Sequence, residues 1–192
     1  MITSCAKRKN RLLFWSAVIA GAFILFGVLG AVQPAAGQAV PTGEATFTAT
    51  EDTYVKESSP SSSYGQRSSL EADNAPSVKR ILLRFNVSGI PAGATVTSAT
   101  VRLYVTSASV QAGALHEVSG AWSEATTWST APLPVGQKIA DLASPAVVGT
   151  WTQADVTDAV TGNGDRNFYL VTTSSDSVWY RSSEAANNWP TL

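Results

Sequence analysis

The stretch from residue 79 to residue 87, Lys-Arg-Ile-Leu-Leu-Arg-Phe-Asn-Val, restricts the fold more than any other part of this chain. In an extended strand, successive side chains point to opposite faces. One face would carry Ile81, Leu83, Phe85 and Val87, and the other would carry Arg80, Leu82, Arg84 and Asn86. The first face favours burial, and the two arginines favour at least partial exposure of the second. The pattern predicts a strand of an antiparallel β-sandwich with a wet outer face.

The rest of the chain after residue 44 has the pattern of short strands separated by turns. A turn with Gly and Pro at 88–93 leads to residues 96–105, where the alternation repeats. Further strands are predicted at 45–56, 67–72, 114–118, 138–142, 147–156, 168–173 and 178–182. Only residues 155–160 have a helical pattern, of one or two turns at most. This arrangement predicts an all-β, jelly-roll-like antiparallel β-sandwich over 45–192.

The first 39 residues have the organisation of an export signal. A basic segment at 7–11 precedes an uncharged, mostly apolar run at 12–32, and small residues lead up to Ala39. The pattern predicts a signal peptide over 1–39 that is cleaved after Ala39. The apolar run is also long enough for an uncleaved membrane-anchor helix, which is the alternative. Under both interpretations 40–44 is a short lead-in and the remainder is secreted or faces outside, touching a membrane only through such an anchor.

Charge and cysteine content limit the class of partner. Four of the 13 basic residues and none of the 14 acidic residues precede residue 40, so the remainder has nine against 14 and a net charge of −5. Nucleic-acid binding favours a net positive domain, so no nucleic-acid partner is expected. The one cysteine, Cys5, lies in the basic N-terminal segment. The remaining domain therefore relies on its hydrophobic core rather than on disulfides.

Catalytic motifs are poorly represented. The sole histidine, His116, lies on a short predicted strand with no nucleophile motif nearby, and there is no G-x-S-x-G sequence. Glycoside hydrolysis needs only a facing carboxylate pair. The candidates by residue type are Glu124, Asp155, Asp158 and Glu184. Their spacing does not raise them above roles as loop acceptors or caps. A polysaccharide-degrading enzyme using Glu124 is thus the least favoured function, and we expect no enzyme activity.

Metal-binding patterns are equally sparse. One histidine, and no cysteine after residue 5, suit zinc poorly. Asn163 and Asp165 lie in a Gly-rich stretch, where such residues more often form a turn than a calcium loop. We therefore expect no cofactor, and a structural calcium ion has no support in the sequence.

A binding surface is better supported than a catalytic centre. Two strands expected to be adjacent place Arg84, Arg102 and Tyr104 on outward positions, with Arg80 extending the row and Arg181 joining it from the last strand. Guanidinium groups bind carboxylates bidentately, and tyrosine offers a flat amphipathic surface to a sugar ring. The row predicts a site for an acidic polysaccharide. The alternative is that the arginines pair with Glu71, Asp73 or Glu184 and only solvate a face.

Several stretches carry a family resemblance when taken in order. They are Asp52-Thr53-Tyr54-Val55, Tyr64-Gly65, 80–87 with Ile90-Pro91, 99–104, Trp122-Ser123-Glu124 with Thr127-Trp128, Trp151 with 155–160, 167–170 and 181–184. Together they resemble the DNRLRE domain, also classed as carbohydrate-binding module family 96, over about residues 45–192. The resemblance implies a jelly-roll β-sandwich that binds an acidic polymer such as alginate, without hydrolysing it, on a cationic surface with an aromatic contribution.

The resemblance also implies specific contacts. Carried onto this chain, these are Lys56, Arg67, Arg80, Arg84, Arg102, Tyr180 and Arg181, and strand parity adds Tyr104. Family members usually continue with one more strand after Asn-Trp-Pro-Thr-Leu, so we expect either that the last strand is cut short or that the reading frame is truncated. We expect a monomer. A structural or adhesive surface domain without sugar binding is the alternative from a different functional class.

Overall fold

The computed structural model describes residues 43–133 and 135–192. The signal peptide or anchor predicted for 1–39 lies outside these described residues. Within them, no helix is long and apolar enough to cross a membrane.

The described part of the chain folds into nine strands and one short 3-10 turn. The strands are β1 (Ala49–Lys56), β2 (Ser69–Ala72), β3 (Lys79–Val87), β4 (Thr100–Ser107), β5 (Ala114–Glu117), β6 (Lys138–Asp141), β7 (Trp151–Asp155), β8 (Gly164–Val171) and β9 (Val178–Arg181). The passage with a helical pattern is only the 3-10 turn Thr157–Ala159. Asp155 accepts hydrogen bonds from the Thr157 amide at 2.9 Å and the Thr157 hydroxyl at 2.6 Å, so it caps this turn.

The strands form two antiparallel sheets. The five-stranded sheet has the order β1-β3-β8-β5-β6, and the four-stranded sheet has the order β2-β9-β4-β7. The all-β prediction is confirmed, and two antiparallel sheets enclosing a common core agree with a β-sandwich. Several strand boundaries differ from the prediction. The strand predicted at 147–156 begins only at Trp151, because residues 147–150 form a turn in which Gly149 has a φ of 81°.

The inner faces of both sheets supply the main core. Ile81, Leu83, Phe85 and Val87 are buried in it, as their parity predicts. From the other sheet, Tyr180 is 0% exposed, and its hydroxyl donates to the carbonyl oxygen of Ala112. Each large apolar side chain buried in this way contributes about 1.5–3 kcal/mol.

The outer face of the five-stranded sheet is covered by part of the β5–β6 connection. We call residues 118–133 the strap. Trp122 of the strap forms a second apolar cluster with Val55, Leu82 and Tyr169, against which Trp128 also packs. Leu82, expected on a wet face, is therefore 0% exposed. The outer face of β3 is only partly exposed, as predicted: Asn86 is exposed and Arg80 and Arg84 are half-buried, but a long loop forms an additional layer that covers Leu82.

The C-terminal residues pair on two sides. The amides of Phe47 and Ala49 donate to the carbonyl oxygens of Leu192 and Pro190 at 2.7 and 3.0 Å. The amide of Arg102 donates to the carbonyl oxygen of Thr191 at 2.8 Å. Residues 190–192 thus lie between the start of β1 and the first half of β4.

Candidate functional site

The outer face of the four-stranded sheet gathers aromatic and cationic side chains from three strands. In β4, the buried residues Val101, Leu103 and Val105 point inward, so Arg102 and Tyr104 point outward. In β9, Val178 and Tyr180 are buried, and Trp179 and Arg181 alternate with them. Trp151 of β7 is directly opposite Tyr104. We call these five residues, Arg102, Tyr104, Trp151, Trp179 and Arg181, the aromatic face.

Strand register aligns part of this set in a row across the sheet. Ser69 of β2 is paired with Arg181, and Val105 of β4 with Tyr180, so Tyr104 follows next to Arg181. Tyr104 is in turn paired with Trp151. Neighbouring strands are about 4.8 Å apart, so two outward side chains next to each other in the row can contact the same sugar residue.

Local contacts hold the rings and the guanidinium of Arg102 together. The rings of Tyr104 and Trp151 meet edge to face at 5.4 Å, and the Arg102 Cζ lies 4.9 Å from the Trp151 ring centre. Arg102 is exposed, and Trp179 is 40% exposed. Among the described residues, neither Arg102 nor Arg181 forms a salt bridge, and the buried Nε of Arg181 has no hydrogen-bond partner. The face therefore offers apolar ring surface together with two guanidinium groups that have no carboxylate partner among the described residues.

Sequence reasoning found Arg102, Tyr104 and Arg181, which the structure brings onto one face, but missed both tryptophans. The missing signal was parity within β9 and β7. Trp179 lies two positions before Arg181 and so points to the same side of β9. In β7, Thr152 and Ala154 are buried, so Trp151, an odd number of positions from each, points to the opposite side. Both positions are therefore outward.

Arg80 and Arg84 do not join this face. The expected adjacency of the two arginine-bearing strands is wrong, because β3 pairs with β1 and β8 while β4 pairs with β7 and β9 in the other sheet. Residues 88–99 cross from one layer to the other. The outward positions of β3 and β4 consequently lie on opposite sides of the sandwich.

Arg84 is occupied by structural contacts. Its guanidinium donates to Glu51 at 2.8 Å, to the Trp122 carbonyl oxygen at 2.7 Å and, through Nε, to Asn167 at 3.0 Å. Its Cζ lies 4.7 Å from the Trp122 ring centre, and only 20% of the side chain is exposed. Arg84 thus fastens the strap to the sheet. The alternative, in which an arginine pairs with an acidic residue instead of a ligand, is correct for Arg84, although its partner is Glu51.

The other proposed contacts are scattered. Arg80 stacks on Trp128 at 5.0 Å and lines a shallow cleft of about 290 Å³ with Lys79 and His116. Lys56 ends β1 opposite Lys79 at the sheet edge, and Arg67 is exposed in the β1–β2 loop. Tyr180 is completely buried in the core. It has no surface to offer a ligand, so its assignment as a contact is wrong.

Residues considered for catalysis or for metal binding have structural partners. His116 Nδ1 is 3.0 Å from the Gly136 carbonyl oxygen, and Glu124 accepts from the Gln66 amide at 2.9 Å. Asn163 exchanges two hydrogen bonds of 2.9 Å with the backbone of Ile90. Hydrogen bonds from Thr157 lower the pKa of Asp155. These contacts account for all four side chains without a reaction.

Comparison with known proteins agrees with the surface described above. A family model described as carbohydrate-binding module family 96 matches residues 43–192. A search of curated proteins found no match. The match covers most of the chain and all nine strands, so the chain belongs to carbohydrate-binding module family 96.

Proposed function

We propose that this protein binds an acidic polysaccharide on the aromatic face, outside the cytoplasm and without hydrolysing it. The observation that carries the proposal is the group of aromatic rings and guanidinium groups, exposed or half-buried, on the outer side of β9, β4 and β7. Sugar rings stack on flat aromatic surfaces, and uronate carboxylates accept paired hydrogen bonds from arginine. We further propose that the sandwich is of the jelly-roll type and that the protein acts as a monomer.

Preference for an acidic polymer rests on Arg102 and Arg181. Neither has a carboxylate partner among the described residues, in contrast to Arg84. A neutral glucan offers only hydroxyl acceptors, so it would leave both guanidinium charges without an anionic partner. Absence of hydrolysis is supported by the placement of the acids, since Glu124 and Asp155 are engaged with Gln66 and Thr157.

Affinity electrophoresis and calorimetry with alginate, pectate and a neutral glucan test the proposal. The wild type should bind the acidic polymers. Trp179→Ala and Arg102→Ala should each weaken binding about tenfold or more, since a central contact is worth about 2 kcal/mol. Salt near 1 M should weaken binding strongly, because exposed charge contacts are screened over a few ångströms. Arg67→Ala, an exposed arginine outside the face, is the matched control and should change affinity less than about twofold.

Three outcomes would contradict the proposal. Retention of full affinity in both face variants would move the site elsewhere, with the Arg80 cleft as the next candidate. Failure to bind any of the polymers would favour the structural or adhesive alternative. Release of reducing ends or of unsaturated uronides would identify an enzyme.

A further inference from the structure

Four segments of the chain meet at the edge of the sandwich where β1 and β2 lie, and they bring three carboxylates together. Asp52 comes from β1, Glu124 from the strap and Glu184 from the turn that follows β9. The β1–β2 loop supplies the fourth segment through Ser63, Gly65 and Gln66. We call Asp52, Glu124 and Glu184 the acidic cluster.

Two of these carboxylates are bound to the same residue, and each has a free oxygen. Asp52 Oδ2 accepts from the amide of Ser183 at 2.7 Å, and Glu184 Oε1 accepts from the Ser183 hydroxyl at 2.8 Å. Asp52 is 0% exposed, yet its Oδ1 has no hydrogen-bond partner. The Oε2 of Glu184 is also buried without a partner. Within the described residues, neither acid forms a salt bridge. A buried charge without compensation costs several kcal/mol, so these oxygens call for a partner.

Glu124 is held beside them by the β1–β2 loop. Its carboxylate accepts from the Gln66 amide at 2.9 Å, and its carbonyl oxygen accepts from the Ser63 hydroxyl at 2.7 Å. Gly65 packs so closely that an added Cβ would lie 2.4 Å from that carbonyl oxygen. Burial and then the charge of Glu184 raise the pKa of both Asp52 and Glu124, which places Glu184 within electrostatic reach of each.

We propose that the acidic cluster binds a calcium ion through the free oxygens of Asp52 and Glu184, with Glu124 as the third carboxylate. Calcium accepts six to eight oxygen ligands in flexible geometry, including carbonyl groups and water, whereas zinc favours nitrogen and sulfur. In 43–133 and 135–192, no group of three or more His, Cys, Asp and Glu side chains is spaced so that it could hold a metal ion. Binding would therefore require Glu124 to move closer to the other two carboxylates, and water and backbone oxygens would complete the shell.

Bound calcium would tie β1, the β1–β2 loop, the strap and the turn after β9 to one point. The competing chemistry is a proton shared between the adjacent carboxyl groups, which satisfies the same oxygens without a metal. Calcium and a proton compete for the same carboxylate oxygens. A calcium titration near pH 8, where the shared proton is held less tightly than at lower pH, therefore distinguishes the two. The inference does not depend on where the polysaccharide binds.

Direct titration and thermal unfolding test the site. The purified chain, treated with EDTA and dialysed, is titrated with CaCl₂ and separately with MgCl₂ in a calorimeter at about pH 8. We expect one Ca²⁺ per chain, much weaker Mg²⁺ binding, and a melting temperature that rises by several degrees and increases with the logarithm of the calcium concentration. Asp52→Asn should reduce calcium affinity at least tenfold and remove the thermal shift. Asp158→Asn, which changes an exposed acid in the 3-10 turn, should retain both.

If calorimetry detects no heat of calcium binding and calcium leaves the melting temperature unchanged, the proposal is overturned in favour of the shared proton. Calcium binding that survives in Asp52→Asn would overturn the assignment to this cluster. If Asp52→Asn does not fold, Glu184→Gln serves the same comparison, and the wild-type titration alone still decides whether the ion binds.

Discussion

Replacement of Arg84 by alanine tests whether this side chain serves the fold or the ligand. The three hydrogen bonds from its guanidinium go to Glu51, Trp122 and Asn167. Bonds that involve a charged group contribute about 1.5–3 kcal/mol each when taken singly, and stacking on Trp122 adds about 1 kcal/mol. Their sum overstates the effect, because one side chain makes all of them and water enters after truncation. We expect a loss of about 3 kcal/mol.

Chemical denaturation and calorimetry measure this loss. For a domain of this size, about 3 kcal/mol lowers the melting temperature by roughly 6–12 °C. Affinity for acidic polymers, measured below the transition, should change less than about twofold, because Arg84 and the aromatic face lie on opposite sides of the sandwich. Arg102→Ala is the matched arginine control. It should cost less than about 1 kcal/mol of stability, since Arg102 is exposed, and should weaken binding about tenfold.

The reasoning would be refuted by either of two results. A loss below about 1 kcal/mol for Arg84→Ala would mean that its bonds do not fasten the strap. A fall in polymer affinity equal to that of Arg102→Ala, in a folded Arg84→Ala protein, would mean that the β3 side of the sandwich takes part in binding.

Two further predictions concern stability at the acidic cluster. Gly65→Ala should lower the free energy of unfolding in urea by about 2 kcal/mol, because the added Cβ would press on the Glu124 backbone. The control is Gly43→Ala, whose Cβ would meet nothing within 4 Å and which should be nearly neutral. Equal effects of the two substitutions would contradict the close packing. Burial and Glu184 raise the pKa of Asp52 to about 8 from the ordinary value of 3.8. A raised pKa means that the folded state holds this proton more tightly, so the resulting stability is complete below about pH 4 and is lost as the pH rises through about 8. In EDTA, the free energy of unfolding should therefore fall between pH 5 and pH 8 by up to about 1.4 kcal/mol per unit, and Asp52→Asn should flatten the curve; a rise over this range would contradict it.

Side-chain parity predicted which face of a strand is buried, but not which strands are neighbours. Ile81, Leu83 and Phe85 point into the core as expected. The assumption that these two consecutive strands pair placed Arg84 beside Arg102, whereas β3 and β4 belong to different sheets. Alternation is a local property, and pairing depends on contacts far apart in sequence, so parity alone does not supply it.

The strap was missed for a related reason. Alternation of side chains along a strand distinguishes the face that meets the core from the opposite face. The opposite face of β3 was expected to be at least partly exposed to water. Leu82 in the middle of that face was the local sign that something covers it, and Trp122 and Trp128 are the residues that do so. The error at Tyr180 came from the family resemblance and not from the pattern, because alternation with Trp179 and Arg181 already turns Tyr180 inward.

The strap also bears on how many polymer strands one molecule can hold. It occupies one broad side of the sandwich, while the other side presents exposed Trp179 and Arg102. If the aromatic face binds the polymer and the protein is a monomer, as proposed, each molecule holds one polysaccharide strand and does not join two, so mixing it with dilute polymer should produce neither gelation nor turbidity.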